Sequence, residues 1–197
     1  CAVHPGYGFL SENAEFARQV AEAGLAFLGP SPEVIKTFGL KHEARAIAES
    51  QNVPVLRGTD ILPDLAAART AAEQVGYPLL LKSTAGGGGI GMQRCDNPEQ
   101  LDAAFESVTA LAQSNFTSAG VFIEKCITQA RHVEVQLFGD GRGNVVILGD
   151  RDCSLQRRNQ KLVEECPAPQ LPASIRTAMH ESARALAASV NYASAGT

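Results

Sequence analysis

The chain has 197 residues, of which 45% are hydrophobic and 19% are charged, and its formal net charge is −4. These values are typical of a globular protein, and the acidic balance argues against a general nucleic-acid binder, which would present a basic face. No run approaches the ~20 apolar residues of a membrane span. Five scattered cysteines without a CxxC pair predict neither a zinc site nor a disulfide framework. With no signal-peptide pattern at the start, we expect a cytoplasmic location.

The first fifty residues predict strands that alternate with helices. Residues 2–3 resemble the end of a strand, and Ser11 is placed to cap the first helix. A short strand over 25–28, a helix opened by Ser31-Pro32 and a helix over 41–51 follow. This order predicts an α/β fold, and we expect both ends of the chain to be cut from a longer protein.

The middle of the chain predicts two more helices and three strands. In chain order they are a helix over 65–75, a strand over 77–82, a strand over 92–95, a helix opened at 97–100 and a strand over 121–125. Residues 97–100 read Asn-Pro-Glu-Gln, which is a capping box with proline at the first helical position.

The last third begins with strict alternation over residues 131–138. His132, Glu134 and Gln136 share one face of this predicted strand, which is either the wet face of an antiparallel sheet or a face that lines a ligand. A hairpin turn at 140–143, a return strand over 144–148, a polar loop over 150–161 and a helix over 173–191 complete the prediction.

A glycine loop follows the strand that ends at Lys82, with five glycines between positions 86 and 91. Because glycine loses the most backbone entropy on ordering, such a loop indicates that bare N–H groups approach a ligand closely, and the lysine beside it favours a polyphosphate. A strand follows the loop, which argues against a Rossmann fingerprint, and the lysine precedes the glycines, which argues against a Walker A loop. A hinged flap and a flexible connector remain as alternatives.

Three other segments carry candidate chemistry with an ordinary alternative beside it. Lys41 is either a solvated lysine or a phosphate partner. Glu124-Lys125 is either an exposed strand end or a place where backbone groups read adenine. The segment 151–161 is rich in donors and is either a solvated loop or an anion site. Cys153 lacks the partners of a triad, so we do not expect it to be a nucleophile.

Taken together, these motifs resemble the biotin carboxylase family of ATP-grasp enzymes over essentially the whole chain. The matching segments occur in family order at 4–13, 82–91, 124–125, 131–136, 151–154 and 156–158. Three features resemble the urea carboxylase branch of that family: the residue types at 39–42, the residue types at 82–90 including Ile90, and Asn159 where relatives carry histidine.

The resemblance implies an incomplete ATP-grasp fold of the α/β (α+β) class. It assigns 1–38 to the end of a Rossmann-like N-terminal domain, 39–57 to the segment leading into the ATP-grasp fold, 58–126 to its lid and 127–197 to the start of its C-terminal antiparallel sheet.

The resemblance also implies ATP-dependent carboxylation of biotin with bicarbonate through carboxyphosphate. The implied cofactors are ATP, Mg²⁺ or Mn²⁺, and biotin on a carrier domain. The implied partners are that carrier and a carboxyltransferase domain, with a homo-oligomer as a further expectation and neither nucleic acid nor membrane.

Roles carried over by the resemblance fall on matching residues. The implied catalytic residues are Lys161, Gln156 and Arg151. The implied nucleotide contacts are Lys41, Lys82, Gly88, Gly89, Glu124, Lys125, Ile127, His132 and Asn159. Tyr7 and Gly8 are expected near biotin, and Lys161 is expected at bicarbonate.

The family's metal-binding glutamates are expected beyond residue 197, so we expect these 197 residues alone to be inactive. Two alternatives stay open. One is the same half-reaction in an acetyl-CoA, propionyl-CoA or pyruvate carboxylase, and the other is a non-catalytic ATP-binding fragment.

Overall fold

A computed structural model describes residues 1–84, 91–115, 120–157 and 160–197, without the side chains of 113–115. The chain forms two compact units. Unit 1 comprises 1–39, 46–53 and 131–197, and unit 2 comprises 40–45 and 54–130.

The described part of the chain forms six α-helices and ten strands. The helices are α1 (Ala14–Glu22), α2 (Pro32–Gly39), α3 (Lys41–Ser50), α4 (Leu65–Val75), α5 (Pro98–Asn115) and α6 (Ala173–Ser189). The strands are β1 (Ala2–Val3), β2 (Ala26–Phe27), β3 (Leu79–Ser83), β4 (Met92–Cys95), β5 (Val121–Lys125), β6 (Val133–Asp140), β7 (Val145–Asp152), β8 (Gln156–Arg157), β9 (Gln160–Lys161) and β10 (Ala193–Gly196).

Unit 2 is a three-stranded antiparallel sheet in the order β4-β3-β5, with α4 and α5 packed against it. Alternate residues of β3 and β5 point into the core because successive side chains of a strand face opposite sides. The buried core residues are Ala68, Ala72, Val75, Leu79, Leu81, Cys95, Leu101, Ala104, Val108, Val121 and Ile123. Their alternates on β3 and β5 therefore form the other face of the sheet.

Helices α4 and α5 of unit 2 begin at side chains that cap them: Asn97, as predicted, and Asp64, which was not predicted. Asp64 accepts a hydrogen bond from Ala67 N at 2.8 Å, and Asn97 accepts one from Gln100 N at 2.9 Å. The Gln100 side chain in turn accepts from Asp96 N at 2.7 Å. These bonds satisfy backbone donors that a helix leaves unpaired in its first turn. The predicted bounds of α4 and the Asn97 cap of α5 are confirmed, while the Gln100 side chain accepts from Asp96 N instead of the Asn97 N of a capping box.

Unit 1 contains an antiparallel sheet in the order β10-β6-β7, and α6 packs on it. The predicted β6–β7 hairpin is present and turns at residues 141–144, one residue later than the predicted turn at 140–143, and it carries an irregularity between Gln136 and Leu137. Val135 and Leu137 are buried on the side of α6. A separate parallel pair, β1 with β2, lies beside α1 and α2 in the order that the first fifty residues predict.

Asp150 links β7 to α6 and to the segment that precedes α6. Its carboxylate, 2% exposed, accepts from Ala168 N at 2.8 Å, from Arg176 Nε at 2.8 Å and lies 3.0 Å from His180 Nε2. Burial alone would raise the pKa of Asp150, but these hydrogen bonds hold it below its ordinary value. The carboxylate therefore stays ionised and ties the strand to the helix.

The predicted cap of the first helix is wrong. Ser11 lies inside a short 3-10 turn over Phe9–Glu12, where its hydroxyl donates to Gly8 O at 2.7 Å. The capping residue of α1 is Asn13, whose side chain accepts from Phe16 N at 2.8 Å. Both residue types cap helices, and the tight turn moves the start of the helix two residues along the chain.

The predicted polar loop over 150–161 contains regular structure. Strand β7 runs on to Asp152, and β8 pairs with β9 in a two-stranded ribbon that sets Gln156 opposite Lys161. These strands have no hydrophobic alternation, so periodicity could not reveal them. None of the helices in the four described ranges is long and apolar enough to cross a membrane.

Candidate functional site

One group of charged side chains lies on unit 2, and we call it the Lys82 cluster: Lys41, Arg45, Lys82 and Glu124. Lys82 pairs with Phe122 and Leu80 pairs with Glu124 across the two strands, so Lys82 and Glu124 are diagonal neighbours on one face. Lys82 Nζ donates to Glu124 Oε2 in an ion pair. The other carboxylate oxygen, Oε1, lies 3.6 Å from Arg45 Nη1.

Lys41 adds a second ammonium group to this cluster. Its Nζ donates to Ser83 O at 3.3 Å, and its backbone N donates to Thr84 O at 3.4 Å. Burial lowers the pKa of Lys41, and the charge of Lys82 lowers it further, while Glu124 opposes the shift. The positive charge of Lys82 makes the protonated form of Lys41 less stable. An anion bound beside both lysines would therefore be stabilised by their charges.

The adenine-binding prediction concerns the end of β5. The Lys125 side chain donates to Gly76 O at 3.0 Å and to Tyr77 O at 2.8 Å, and its backbone N donates to Arg57 O at 2.8 Å. Its ammonium therefore joins the end of β5 to the start of β3. Ile127, two residues on, is 49% exposed and is available to contact a ligand.

A second group of charged side chains lies on unit 1, and we call it the Lys161 cluster: Glu134, Arg151, Lys161 and Glu164. Glu134 and Arg151 are directly opposite each other on β6 and β7. Arg151 Nε donates to Glu134 Oε1 at 2.9 Å and lies 3.2 Å from Glu164 Oε2, and its Nη1 donates to Gln136 Oε1 at 2.9 Å. Lys161 Nζ donates to Glu134 Oε2.

The Lys161 cluster holds its groups in their charged forms. Burial would raise the pKa of Glu134, but hydrogen bonds from Lys161 and Arg151 lower it. The hydrogen bond from Lys161 to Glu134 raises the pKa of Lys161. Burial lowers the pKa of Arg151, but its own hydrogen bond to Glu134 raises it above the ordinary value. Each of the two cations has a carboxylate, so the cluster fixes an ammonium and a guanidinium in stable positions.

A hydrogen-bonded chain orients His132 and Gln156. Gln156 Nε2 donates to Cys153 O at 2.8 Å and lies 2.9 Å from His132 Nδ1. Because an amide nitrogen only donates, this contact favours the His132 tautomer with its proton on Nε2. His132 N in turn donates to Ser154 Oγ at 2.9 Å.

Asp152 holds Ser154, the residue that accepts the hydrogen bond from His132 N. It accepts from Ser154 N at 2.8 Å and from the guanidinium of Arg131 at 2.6 and 2.9 Å. Hydrogen bonds from Ser154 and Arg131 lower the pKa of Asp152 to about 2. The support therefore stays ionised throughout the neutral range.

One group of potential metal ligands lies in the ranges that the structure covers: Glu134, Cys153 and Glu164, whose ligand atoms lie within 4.8 Å of one another. This donor set does not fit Mg²⁺, which prefers oxygen ligands. Burial raises the pKa of the Cys153 thiol, and both oxygens of Glu134 accept from cations. The cluster is thus an ion-pair network.

The structure brings most predicted site residues into these two clusters. Lys41, Lys82 and Glu124 come together on unit 2, and Lys161, Arg151, Gln156 and His132 lie at one end of β6, β7 and the β8–β9 ribbon on unit 1. Gly88, Gly89 and Asn159 lie outside the described residues. Tyr7 is fully exposed in the turn before the 3-10 segment, and Gly8 accepts from Ser11.

Several supporting residues were missed by sequence reasoning as members of a site. Arg45 lies one helical turn after Lys41, a spacing that places both on one side of α3. Ser154 and Asp152 flank the buried Cys153 on alternate positions, which was a usable signal. Glu164 lies beyond β9 and left no pattern in the sequence.

Comparison with known families matches both parts of the chain. Residues 41–197 match the family model described as "Carbamoyl-phosphate synthase L chain, ATP binding domain", and residues 1–35 match "Biotin carboxylase, N-terminal domain". The chain belongs to the ATP-grasp family that the first of these describes and, within it, to the biotin carboxylases.

Similar proteins of known name cover the whole chain. It is 50% identical over 196 residues to urea amidolyase of Saccharomyces cerevisiae and 46% identical over 199 residues to a putative urea carboxylase of Emericella nidulans. It is 46% identical to biotin carboxylase 2 of Bacillus subtilis. The chain spans 11%, 16% and 44% of the lengths of these three relatives.

Solved structures share the fold of the chain. The biotin carboxylase of Campylobacter jejuni, in a complex described as β-γ-ATP, matches 98% of this chain with a TM-score of 0.94 and 42% identity. The biotin carboxylase domain dimer of Hydrogenobacter thermophilus 2-oxoglutarate carboxylase, in complex with MgADP, ADP and bicarbonate, gives 0.92 at 98% coverage and 42% identity. This chain covers 44% and 43% of those chains.

Proposed function

We propose that this chain carries nucleotide- and bicarbonate-binding residues of an ATP-dependent biotin carboxylase, in a protein that carboxylates urea. The observation that carries the proposal is the gathering of Arg151, Gln156 and Lys161 around Glu134 and His132. These residues come from four strands and the segments beside them.

The Lys161 cluster suits chemistry on a carbonate anion. In the proposed reaction, a bicarbonate oxygen attacks the γ-phosphorus of ATP, ADP leaves, and carboxyphosphate forms. Carboxyphosphate then breaks down to CO₂ and phosphate, and the N1′ of biotin attacks the CO₂ carbon as it loses its proton. Lys161 is held by Glu134 as a fixed positive charge, which stabilises the anions on this route.

The Lys82 cluster suits the polyphosphate of the nucleotide. Lys82 and Lys41 supply two ammonium groups at the end of β3, beside the glycine run of the sequence. We assign Glu124, Lys125 and Ile127 to the adenine and His132 to the ribose, with Gly88 and Gly89 covering the phosphates. When bound, Mg²⁺ or Mn²⁺ would neutralise phosphate charge, and the described residues supply no fitting ligand set for it.

The assignment of segments follows the same proposal. The compact part of unit 2 supports a lid over 58–126, reached through 39–57. The β10-β6-β7 sheet supports a C-terminal subdomain that starts near 127, and the β1–β2 pair supports a Rossmann-like segment over 1–38, with Tyr7 and Gly8 at the biotin. A biotin carrier domain and a carboxyltransferase domain would be the partners, and the protein would be cytoplasmic.

Urea is the acceptor that we propose, because identity is 50% to the urea amidolyase of Saccharomyces cerevisiae, against 46% both to the putative urea carboxylase of Emericella nidulans and to the pyruvate carboxylase of Aspergillus terreus. The proposal is tested with the protein purified at its full natural length, together with labelled bicarbonate, ATP and biotin. We expect label to enter biotin only with ATP, and ATP turnover to be stimulated by urea. Stimulation by pyruvate or an acyl-CoA instead would replace the acceptor, and no ATP-dependent labelling would refute the function.

A further inference from the structure

We propose that Glu124 is an exchangeable counterion, whose carboxylate neutralises Lys82 until the polyphosphate of the nucleotide takes its place. The negative charge of Glu124 then determines how strongly the affinity of the site depends on the charge of the nucleotide. This inference rests on the proposed function, since it takes a nucleotide as the ligand of Lys82.

The position of the pair on the sheet makes it a resident contact. Lys82 and Glu124 occupy diagonal positions of adjacent antiparallel strands, which holds their side chains on one face within reach of each other. Their side chains are only 19% and 18% exposed. Because such partly shielded charges interact more strongly than charges in bulk water, the carboxylate competes effectively with an incoming anion.

Glu124 has a second cation to hold it when Lys82 is taken. Its Oε1 lies 3.6 Å from Arg45 Nη1, while Oε2 accepts from Lys82. A phosphate that recruits Lys82 therefore does not leave Glu124 without a positive neighbour. The cost of the exchange is reduced accordingly.

Close backbone packing limits where the carboxylate can go. A Cβ on Gly58 would lie 2.7 Å from Ile123 O, 3.0 Å from Arg45 Nη1 and 3.0 Å from the Glu124 Cγ. The absence of a side chain at Gly58 thus lets Arg45 and Glu124 lie against the backbone. Next to Gly58, Glu124 can therefore change its ion-pair partner without a movement of the backbone.

Lys41 shows that the cluster favours an added anion. Its ammonium donates to a neutral carbonyl, that of Ser83, and lies in the field of Lys82. Within the part of the chain that the structure describes, the carboxylate of Glu124 acts on both lysines, and a polyphosphate would add negative charge beside them. A carboxylate that only positioned Lys82 would give the opposite result on removal, because a misplaced lysine binds phosphate less well.

The test compares the wild-type protein at full natural length with Glu124→Gln, which keeps the shape and removes the charge. Binding of adenosine, ADP and ATP is measured by isothermal titration calorimetry. We expect Glu124→Gln to bind ATP roughly three- to tenfold more tightly, ADP by a smaller factor, and adenosine unchanged, since the lost repulsion grows with ligand charge. Glu106→Gln, an exposed change on α5 of the same unit, controls for net charge and should match wild type in all three.

The outcomes separate the inference from the proposed function. If wild type binds ATP but Glu124→Gln binds it equally or less well, the counterion inference fails and the nucleotide site stands. If wild type does not bind ATP, the proposed function fails. Thermal melting checks that Glu124→Gln is folded; if it is not, Glu124→Asp decides, because its shorter side chain loosens the contact with Lys82. A gain in ATP affinity for that variant supports the exchange, and no gain overturns it.

Discussion

The two charged clusters differ in how their charges are matched. Among the described residues of unit 2, the ammonium group of Lys82 pairs with the carboxylate of Glu124, whose charge also acts on Lys41. On unit 1, the guanidinium of Arg151 and the ammonium of Lys161 have two carboxylates, Glu134 and Glu164. The first arrangement is suited to capture an anion, and the second is suited to hold a cation in one orientation.

The pKa values of the two lysines express this difference. Burial and a like charge lower the pKa of Lys41, whereas the bond to Glu134 raises that of Lys161. An anion that binds to unit 2 would relieve repulsion there. An anion that binds to unit 1 would meet an ammonium that is already paired. Affinity should therefore depend mainly on the first cluster and rate mainly on the second.

The largest expected effect is on rate, from Lys161→Gln. Removing a fixed charge from the proposed reaction centre should lower kcat for biotin carboxylation by about 10²- to 10³-fold. Nucleotide affinity should stay within about twofold of wild type, since the Lys82 cluster is unchanged. The exposed Lys36→Gln is the matched control and should keep full rate. A large loss of ATP affinity in Lys161→Gln would break the division between the clusters.

The next effect is on affinity, from Lys82→Met. Losing a charged hydrogen bond to phosphate should weaken ATP binding by about 10- to 100-fold, as measured by calorimetry. The rate at saturating ATP should fall much less. If kcat falls while ATP affinity is unchanged, Lys82 belongs to the reaction centre, and the assignment of affinity to the Lys82 cluster is wrong.

A smaller effect should follow pH. The positive charge of Lys41 is complete below its folded pKa and is lost as pH rises through that value, which lies below the usual lysine range. ATP affinity should therefore fall a few-fold between about pH 7 and about pH 10. Lys41→Arg keeps its charge over this range and should flatten the profile. An unchanged decline in that variant would assign the titration to another group.

The smallest effect should come from Ser154→Ala, which removes the acceptor of His132 N. Loss of one hydrogen bond worth about 1 kcal/mol should lower kcat/KM by about two- to fivefold through misplacement of His132 and Gln156. Ser154→Thr keeps the hydroxyl and should restore the value. Failure of this rescue, or an equal loss of stability without any change in kcat/KM, would make Ser154 a structural residue only.

Local sequence signals predicted the helices of unit 2 well. The 3.6-residue spacing in α5 and its cap Asn97 act within a few residues, so the sequence displays them directly. The cap of α1 was placed at Ser11 although Asn13 fills that role, because the intervening 3-10 turn leaves no distinct pattern.

Contacts between distant segments were beyond local signals. Lys82 and Glu124 were each singled out, but their pairing depends on the register of two strands separated by a long helix. The β8–β9 ribbon and β10 lack apolar alternation, since they consist of polar or small residues. Motif resemblance therefore identified the members of the site, and the fold determined which of them meet.

The hydrogen bonds of Asp150 also fix the register of β7, which determines whether a positive or a negative side chain faces Glu134. Asp150, Arg151 and Asp152 are consecutive, and neighbouring side chains of a strand face opposite sides. A slip of one residue would bring an aspartate opposite Glu134 where a guanidinium now lies, turning attraction into repulsion. Because Arg176 donates to the carboxylate at this buried position and His180 lies 3.0 Å from it, that misfolded alternative would also bury an arginine against them. The contacts that α6 makes with Asp150 thus disfavour a one-residue slip of β7 relative to β6.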